Sequence, residues 1–286
     1  MMSMKHVMGA VVAALMGLMD LTMTAPASAQ QVPAELQNPQ VEIIYREPRT
    51  AAFKPIAERL KQRRALEQLR VFLAPLRLPR KLTVNVDECG APTREYRSQG
   101  PVTICYELVD QIEKVAAKAD ASVRERVLVG AFVQVAFHET AHAVFDILQI
   151  PVWGRANDAA DRLAAFIMVN FGEDVAMQTI LGTAEFFRLS GRTWNGSEFA
   201  EANSPEAQRF YNYLCIAVGG APKSFDFLVN PKEQEEQLLP DRRAERCQGE
   251  FEQVRMAFNL RIMPFVDPDI LVKVRAIQWL LPLSGR

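Results

Sequence analysis

Residues 127–150 read VLVGAFVQVAFHETAHAVFDILQI, and this stretch determines how the rest of the chain is interpreted. The run is almost wholly apolar over a length that predicts a buried α-helix. Three ionisable residues, His138, Glu139 and His142, lie together in its middle. Because buried imidazole and carboxylate groups need partners, we expect this helix to carry a polar site inside the protein core.

The spacing of these three residues favours metal chemistry. His138 and His142 are four residues apart and share one helix face, so both imidazoles can bind one zinc ion. Glu139 is rotated by about 100° and can face a water molecule held by that ion. Zinc lowers the pKa of such a water, and the carboxylate takes its proton as the water attacks a peptide carbonyl. The H-E-x-x-H pattern is typical of zinc metallopeptidases; the alternative is two polar histidines placed by chance on a partly exposed helix.

The histidine content limits the kind of metal site. The chain has three histidines, and His6 lies in a predicted leader, so a third histidine ligand is excluded. We therefore expect an oxygen donor downstream, as in His-His-Glu sites that bind one zinc ion per chain. The segment 154–162, GRANDAADR, at the start of the next predicted helix, is the natural place for it. Trp153, beside this segment, is expected to pack under the loop.

Composition limits the class of protein. The chain has 286 residues, 33 Lys and Arg against 34 Asp and Glu, a net charge of −1 and 49% hydrophobic residues. These are the proportions of a folded globular protein. They exclude a disordered chain and a nucleic-acid binder held by bulk positive charge.

The first 29 residues have the layout of a secretory signal peptide. A short positive start precedes the apolar stretch 7–19, and Ala27-Ser28-Ala29 offers a small-x-small cleavage site. The apolar stretch is shorter than the roughly 20 residues that cross a bilayer, and no later segment is expected to cross one. We therefore predict an exported protein, periplasmic or secreted, without stable membrane insertion, in which residues 30–286 form a single metallopeptidase-like domain.

Hydrophobic periodicity predicts an α+β fold, with a small antiparallel sheet followed by a mostly helical body. Strands are expected at 41–45, 81–88 and 102–106, with the last two forming a hairpin. Helices are expected at 51–74, 108–119, 123–149, 158–170, 174–188, 205–218, 241–259 and 269–280. The helix with the H-E-x-x-H motif would then be a zincin-like active-site helix.

The chain has four cysteines, and an even number in an exported protein suggests disulfides. Three pairings are possible. Cys89–Cys105 with Cys215–Cys247 is the local solution, in which each bridge closes a modest loop, and it is the pairing that we predict. The alternative is a cysteine metal site, but the chain has no C-x-x-C.

From about residue 41 to the C-terminus the chain resembles a bacterial family of exported proteins that are named metallopeptidases mainly from their sequence motif. The segments that carry the resemblance are 138–142, 154–161, 104–107, 209–212 and 243–247. Of these, only the H-E-x-x-H segment is chemically specific. The resemblance implies a glutamate-zincin-like site, in which a Glu is the third zinc ligand and an Asp four residues later supports a histidine.

Two positions depart from the pattern of that family. The third-ligand position is Asn157, whereas the supporting acid is present as Asp161. A neutral amide is a weaker zinc ligand than a carboxylate and leaves the site with a charge of +2 rather than +1. Asp158 or Asp161 could replace it as third ligand, although Asp158 can equally be an acid that interacts with the helix dipole. The second departure is Asn203, where the family tends to have a histidine.

The leading interpretation is a zinc-dependent peptidase in which Glu139 is the general base and the substrate is a peptide or protein. The edge strand of the sheet would hold an extended peptide by backbone pairing. Arg209 and Tyr211 could stabilise the oxyanion, as could Tyr96 or Tyr106.

The alternative interpretation is a degenerate, catalytically inactive member that acts as a periplasmic binding or scaffold protein. The substitutions at Asn157 and Asn203 motivate it, because both remove groups that complete a working site. A purely structural zinc is a third reading, against which the intact Glu139 speaks. The sequence leaves open the substrate, endo- or exopeptidase cleavage, and the oligomeric state.

Overall fold

The long apolar segment forms a helix of 27 residues, α4 (Ala121–Ile147). The structure, a computed structural model, describes residues 36, 38–91, 94–96, 98–191, 202–233 and 236–277. The described residues belong to one structural unit, Val32–Arg286. The predicted signal peptide, residues 1–29, lies outside the described residues.

The described residues form a small sheet and a larger helical body, which confirms the predicted α+β architecture. The strands are β1 (Val41–Tyr45), β2 (Leu82–Asp87), β3 (Arg94–Tyr96) and β4 (Val102–Cys105). The helices besides α4 are α1 (Lys54–Gln62), α2 (Ala65–Phe72), α3 (Tyr106–Ala116), α5 (Ala156–Asn170), α6 (Glu173–Ser190), α7 (Glu206–Gly220), α8 (Asp241–Ala244), α9 (Cys247–Arg261) and α10 (Pro268–Arg275).

The sheet is mostly parallel, so the predicted antiparallel sheet is wrong. Its strand order is β1-β2-β4-β3, in which β1, β2 and β4 run parallel and β3 runs antiparallel to β4 at the edge. The predicted hairpin between 81–88 and 102–106 does not form, because β3 lies between them in the chain and reverses its direction. With three residues, β3 is too short for alternation to reveal it in the sequence.

Two predicted helices are each divided in the structure. The segment 51–74 forms α1 and α2, separated where Arg64 has a left-handed φ of 51°. The segment 241–259 forms α8 and α9, with the break at residues 245–246. Neither break has a glycine or proline, the residues that usually mark a helix end in a sequence.

α4 packs against α3, α5 and α6 and against strands β3 and β4. Within the described part of the chain it is the helix that is long and apolar enough to cross a membrane, which corrects the expectation that no segment after the leader has these properties. In the structure, 72% of its apolar window is buried inside the protein. The apolar composition of α4 is therefore explained by its place in the core.

Two glycines allow α4 and α6 to approach each other closely. A Cβ atom on Gly182 would lie 1.9 Å from the carbonyl oxygen of Arg126, and one on Gly130 would lie 2.5 Å from the backbone nitrogen of Thr183. Across the same crossing, the Thr183 hydroxyl donates a hydrogen bond of 2.9 Å to the Gly130 carbonyl oxygen. The crossing therefore fixes α6 against the helix that bears the H-E-x-x-H motif.

Both predicted disulfides are confirmed. Cys89–Cys105 joins the segment after β2 to the end of β4, and Cys215–Cys247 joins α7 to α9. β2 and β4 are parallel, so their carboxyl ends lie side by side, with Asp87 opposite Cys105. This arrangement brings the first pair of cysteines together without the predicted hairpin.

We predict that Gly182→Ala lowers the free energy of unfolding by about 2–3 kcal/mol, because the added methyl group would overlap backbone and push α4 and α6 apart. The matched control is Gly249→Ala in α9, where a Cβ atom would meet nothing within 4 Å. Because residue 249 is exposed in a helix, this substitution should raise the free energy of unfolding by up to about 1 kcal/mol. Urea denaturation measures both, and equal effects of the two substitutions would contradict the close crossing.

Candidate metal centre

Asp161 of α5 is the centre of a buried polar cluster that joins three helices; its exposed fraction is 4%. Its Oδ1 lies 2.7 Å from Nδ1 of His138 on α4. Arg209 on α7 donates from Nε to Oδ2 at 2.7 Å and from Nη2 to Oδ1 at 2.8 Å. Gln134 and the Tyr213 hydroxyl also donate to Oδ1, at 3.0 and 3.3 Å. Charge-assisted hydrogen bonds thus connect α4, α5 and α7.

The cluster arises from residues spaced four apart on each helix, which places them on one face. These sets are Gln134, His138 and His142 on α4, Asn157 and Asp161 on α5, and Arg209 and Tyr213 on α7. Each set interrupts an otherwise apolar face that packs into the core. The three helices consequently bring their polar positions to one buried point.

Asp161 is ionised in this environment. Burial alone would raise the pKa of its carboxyl group, but the charges of Arg209 and His138 and the hydrogen bonds from both lower the pKa by more, well below its ordinary value. Burial likewise opposes the charge of Arg209, and the Asp161 carboxylate overcomes this and raises the Arg209 pKa. The pair therefore remains charged although each residue is about 95% buried.

An ionised Asp161 fixes the orientation of the His138 ring. Because Asp161 is ionised, His138 Nδ1 donates the hydrogen between the two groups, which leaves Nε2 on the opposite side of the ring. The His138 ring is 1% exposed and meets the His142 ring edge-on, with 4.8 Å between their centroids. Asp161 therefore has the geometry of a residue that supports a metal-binding histidine.

Three donor atoms converge on the face of α4 that carries the histidines. His138 Nε2 and His142 Nε2 are 3.2 Å apart, and Asn157 Oδ1 lies 2.9 Å from His142 Nε2. In a tetrahedral zinc site with bonds of about 2.0–2.1 Å, ligand atoms are roughly 3.3 Å from one another. Both distances are close to this value, and two imidazole nitrogens with an amide oxygen are a donor set compatible with a divalent metal ion.

Glu139 lies beside these donors. Its carboxylate is 3% exposed, and its Oε1 is 3.8 Å from His138 Nε2. This separation is too long for a hydrogen bond between the two atoms. The Glu139 carboxylate is therefore a buried acid next to the His138 nitrogen that faces away from Asp161.

The other acid of the predicted third-ligand segment is used elsewhere. Asp158 accepts a hydrogen bond of 2.7 Å from the hydroxyl of Ser204, which is buried just before α7. Asn203, the second departure from the family pattern, is exposed. The structure thus brings Asn157, rather than Asp158, to His142.

Arg209 was predicted to stabilise an oxyanion, but in the structure its guanidinium is bonded to Asp161. The guanidinium is 5% exposed, bonds Asp161 through two nitrogens and lies over the Phe187 ring at 4.2 Å. In this geometry the guanidinium compensates the charge of Asp161.

The predicted tyrosines lie in three different places. Tyr211 is 38% exposed and contacts Phe210 edge-on. Tyr106 is buried and donates from its hydroxyl to the Arg46 carbonyl oxygen at 2.6 Å. Among the three, only Tyr96 is connected by a described contact to the helix that bears the histidines.

Asp146 connects α4 to the edge strand β3. Its carboxylate accepts a short hydrogen bond from the Tyr96 hydroxyl and forms an ion pair with Arg80. The Ser98 hydroxyl and the Gln99 backbone nitrogen donate to it as well, both at 3.1 Å. The hydrogen bond from Tyr96, the largest effect, lowers the pKa of Asp146. The carboxylate therefore holds the end of β3 from several sides.

The contacts of Asp146 determine where the edge strand β3 lies relative to His138 and His142. Asp146 follows His142 by four residues, so it lies one turn further along the same face of α4. β3 is consequently anchored on the side of α4 that carries the two histidines. An extended peptide paired with β3 would run along this side.

A second group of potential metal ligands lies on the sheet. Among the described residues, Cys89, Cys105 and Glu107 have ligand atoms within 4.8 Å of one another. The two cysteines form a disulfide, and Glu107 accepts hydrogen bonds from the backbone nitrogens of Cys89 and Gly90. Without thiolates this group is a structural feature of the loop after β2 rather than a metal site.

Sequence reasoning missed three residues of the site. Gln134 and Tyr213 complete the bonding of Asp161, and Asp146 anchors β3. For two of them a signal existed, because Gln134 and Asp146 are polar residues of the apolar run at four-residue spacing from the histidines. Tyr213 had no comparable signal, since a tyrosine in a helix is usually a packing residue.

Metal-dependent hydrolases use imidazole nitrogens, oxygen ligands and an adjacent carboxylate, and these groups meet here at the buried His138, the half-buried His142, Asn157 and Glu139. The profile of a family described as "Putative metallopeptidase" matches residues 45–260, about three quarters of the chain. The chain belongs to this family, which confirms the resemblance. No curated protein and no solved structure matched the chain.

We predict that Arg209→Leu lowers the free energy of unfolding by about 3–5 kcal/mol, because it leaves the Asp161 carboxylate buried without its cation. The double variant Arg209→Leu with Asp161→Asn should recover part of this loss. Arg188→Leu is the control, since Arg188 pairs with Glu185 on the surface and should cost less than about 1 kcal/mol. Chemical denaturation measures all three, and a cost for Arg209→Leu as small as the control would contradict the central role of the pair.

Proposed function

We propose that this protein is an exported zinc-dependent peptidase. His138, His142 and Asn157 would hold the ion, Glu139 would be the general base, and Asp161 would support His138. The observation that carries the proposal is the convergence of His138 Nε2, His142 Nε2 and the Asn157 oxygen beside the buried Glu139. Membership of a metallopeptidase family implies a metal ion and a peptide or protein substrate.

His138, His142 and Asn157 would hold a zinc ion, which when bound would supply a Lewis acid that polarises the peptide carbonyl and lowers the pKa of a water molecule. Glu139 would accept a proton from the attacking water as the new C–O bond forms, and would donate it to the amine nitrogen as the C–N bond breaks. Asp161 would keep the proton on His138 Nδ1, so that the lone pair of Nε2 would remain available to bind the metal ion. These residues account for the whole transfer without a further acid.

The edge strand β3 would bind the substrate. Its outer edge ends the sheet, and the contacts of Asp146 hold it on the histidine side of α4. A peptide added as a further strand would receive backbone hydrogen bonds, which align its carbonyl groups without regard to side chains. Anchoring by Asp146 would keep this alignment in register with Glu139.

Export is part of the proposal. Two disulfides are consistent with an oxidising compartment such as the periplasm or the cell exterior. Removal of residues 1–29 as a signal peptide would leave residues 30–286 as a single peptidase domain.

One observation favours a second function: the proposed third metal ligand, Asn157, has a neutral amide side chain. Asn157 contributes no charge, so the site would hold zinc more weakly than one with Glu at this position. A chain that had lost its metal could retain the fold as a periplasmic binding or scaffold protein. The two proposals therefore differ in whether the natural protein binds a metal ion at this site.

We predict that the protein, purified without chelator, contains about one zinc ion per chain. His142→Ala should lose the metal, because it removes one of three donors, whereas Glu139→Gln should retain it and lose at least about 1,000-fold in peptide hydrolysis. Elemental analysis and cleavage of a casein substrate measure the two properties. Activity retained by Glu139→Gln would rule out this mechanism, and absence of metal after dialysis against micromolar zinc would favour the binding protein.

We also predict that Asn157→Glu raises zinc affinity by at least about tenfold, since an added carboxylate stabilises the ion by more than 1.4 kcal/mol. Competition with a zinc-selective chelator measures the change, and Asp158→Asn is the control because Asp158 bonds Ser204 instead. If the natural protein is inactive and Asn157→Glu creates hydrolysis, the degenerate interpretation is correct. Unchanged affinity would show that residue 157 does not bind the ion.

A further inference from the structure

A pocket with a volume of about 330 Å³ lies among helices α2, α4, α5, α9 and α10. We name it the apolar pocket. Its lining includes Phe137 of α4, Phe166 of α5, Phe258 of α9 and Leu271 of α10. Protein interiors leave few voids larger than a water molecule, and a volume of about 300 Å³ or more is typical of sites that hold a small ligand.

The apolar pocket lies on a face of α4 other than the one that carries the histidines. Its lining residues on α4 follow the spacing i, i+3, i+4 and i+7 of one helix face, and they are Phe137, Thr140, Ala141 and Val144. The described lining includes none of the proposed metal ligands and not Glu139. The pocket is therefore a second candidate site, separate from the metal centre.

The inner wall of the apolar pocket offers little to a polar ligand. Leu73, Val144 and Leu163 of the lining are buried apolar residues. The hydroxyl oxygen of Thr140 is buried and has no hydrogen-bond partner within the described part of the chain, so the carbon atoms of this side chain face the pocket. The Asn170 side-chain amide donates to the Phe166 carbonyl oxygen at 2.7 Å. The inner wall consequently suits a hydrocarbon.

The backbone around the apolar pocket is already hydrogen-bonded. Most of the lining belongs to helices, whose backbone groups bond within the helix. Between α2 and β2, the carbonyl oxygens of Leu73 and Leu76 each accept a hydrogen bond of 2.8 Å from the Asn38 side chain. The Pro75 carbonyl oxygen accepts one of 2.7 Å from the Asp267 backbone nitrogen. A peptide bound here would bury amide groups without partners, which is costly, whereas a hydrocarbon chain has no such groups.

Polar side chains lie at the mouth of the apolar pocket. Arg255 and Asn259 of α9 and Arg275 of α10 belong to its lining and are exposed. Arg255 donates to Glu252 at 2.8 Å, whereas the side chain of Arg275 forms no ion pair or hydrogen bond with the described residues. Arginine binds a carboxylate through two parallel hydrogen bonds. Arg275 can therefore receive an anionic group at the mouth.

We propose that the apolar pocket binds a medium-chain fatty acid, with the hydrocarbon chain inside and the carboxylate paired with Arg275. A water molecule takes up about 30 Å³ of the liquid, and a methylene group takes up a similar volume. The pocket therefore has room for a chain of about ten carbon atoms. This inference goes beyond the proposed peptidase function and does not depend on it.

The test measures fatty-acid binding to the full chain by isothermal titration calorimetry, after extraction of bound lipid with a hydrophobic resin and in the presence of EDTA. The probes are hexanoate, octanoate, decanoate and decan-1-ol. Affinity should rise by about fourfold per added methylene group, because each is transferred from water to the pocket. Decan-1-ol should bind about threefold more weakly than decanoate, since a solvent-exposed ion pair contributes little.

Variants of the lining locate the binding. Ile167→Phe fills the pocket from α5 and should weaken decanoate at least about tenfold; Leu271→Trp, on α10, tests the same point from the opposite wall. Arg275→Gln should weaken decanoate about threefold and leave decan-1-ol unchanged. Arg242→Gln, an exposed arginine of α8 outside the pocket, is the matched control and should have no effect. Urea denaturation checks that each variant is folded.

Three results would overturn the inference. The first is an affinity that does not increase with chain length, and the second is decanoate binding that survives both filling variants in folded protein. The third comes from Thr140→Val, which replaces the hydroxyl by a methyl group of the same shape and should retain decanoate binding. Loss of binding in this variant would show that a hydrogen bond, rather than hydrocarbon contact, holds the ligand.

Discussion

The charge of Asp161 is the constraint on which the helical body depends. A carboxylate this deeply buried is costly unless it is paired and hydrogen-bonded, and its partners come from α4 and α7 while it belongs to α5. The same group fixes the tautomer of His138. A substitution that relieves the buried charge would therefore also release the His138 ring.

The sequence predicted the helical body well because long amphipathic or apolar helices have a strong periodic signal. α4, α5, α6 and α7 all lie within a few residues of their predicted bounds. The sheet was predicted less well for a physical reason. Strand direction depends on the intervening connection, and here the three-residue β3 reverses the chain between β2 and β4. The left-handed Arg64 that divides α1 from α2 is likewise set by packing rather than by a residue type that favours this conformation.

For the candidate site, the sequence predicted which residues share a face of one helix, but it did not predict the contacts between helices. The positions of His138, Glu139 and His142 on α4 follow from helical geometry alone. That Asp161 pairs with Arg209, 48 residues away, depends on how α5 and α7 pack, which no local pattern specifies. Trp153 is exposed, so the prediction that it packs under the loop is wrong. Tryptophan is usually buried, and the sequence around residue 153 contains no signal that this one lies at the surface.

The bridge Cys215–Cys247 has a consequence for how the buried ion pair is supported. It joins α7, the helix of Arg209, to α9. Gly219 permits the same approach, since a Cβ atom there would lie 2.2 Å from the Cys247 carbonyl oxygen. Oxidation therefore ties the helix that balances the charge of Asp161 to the C-terminal part of the helical body. In a chain folded under reducing conditions, packing alone would hold α7 and α9 together, and the position of Arg209 would depend on the redox environment.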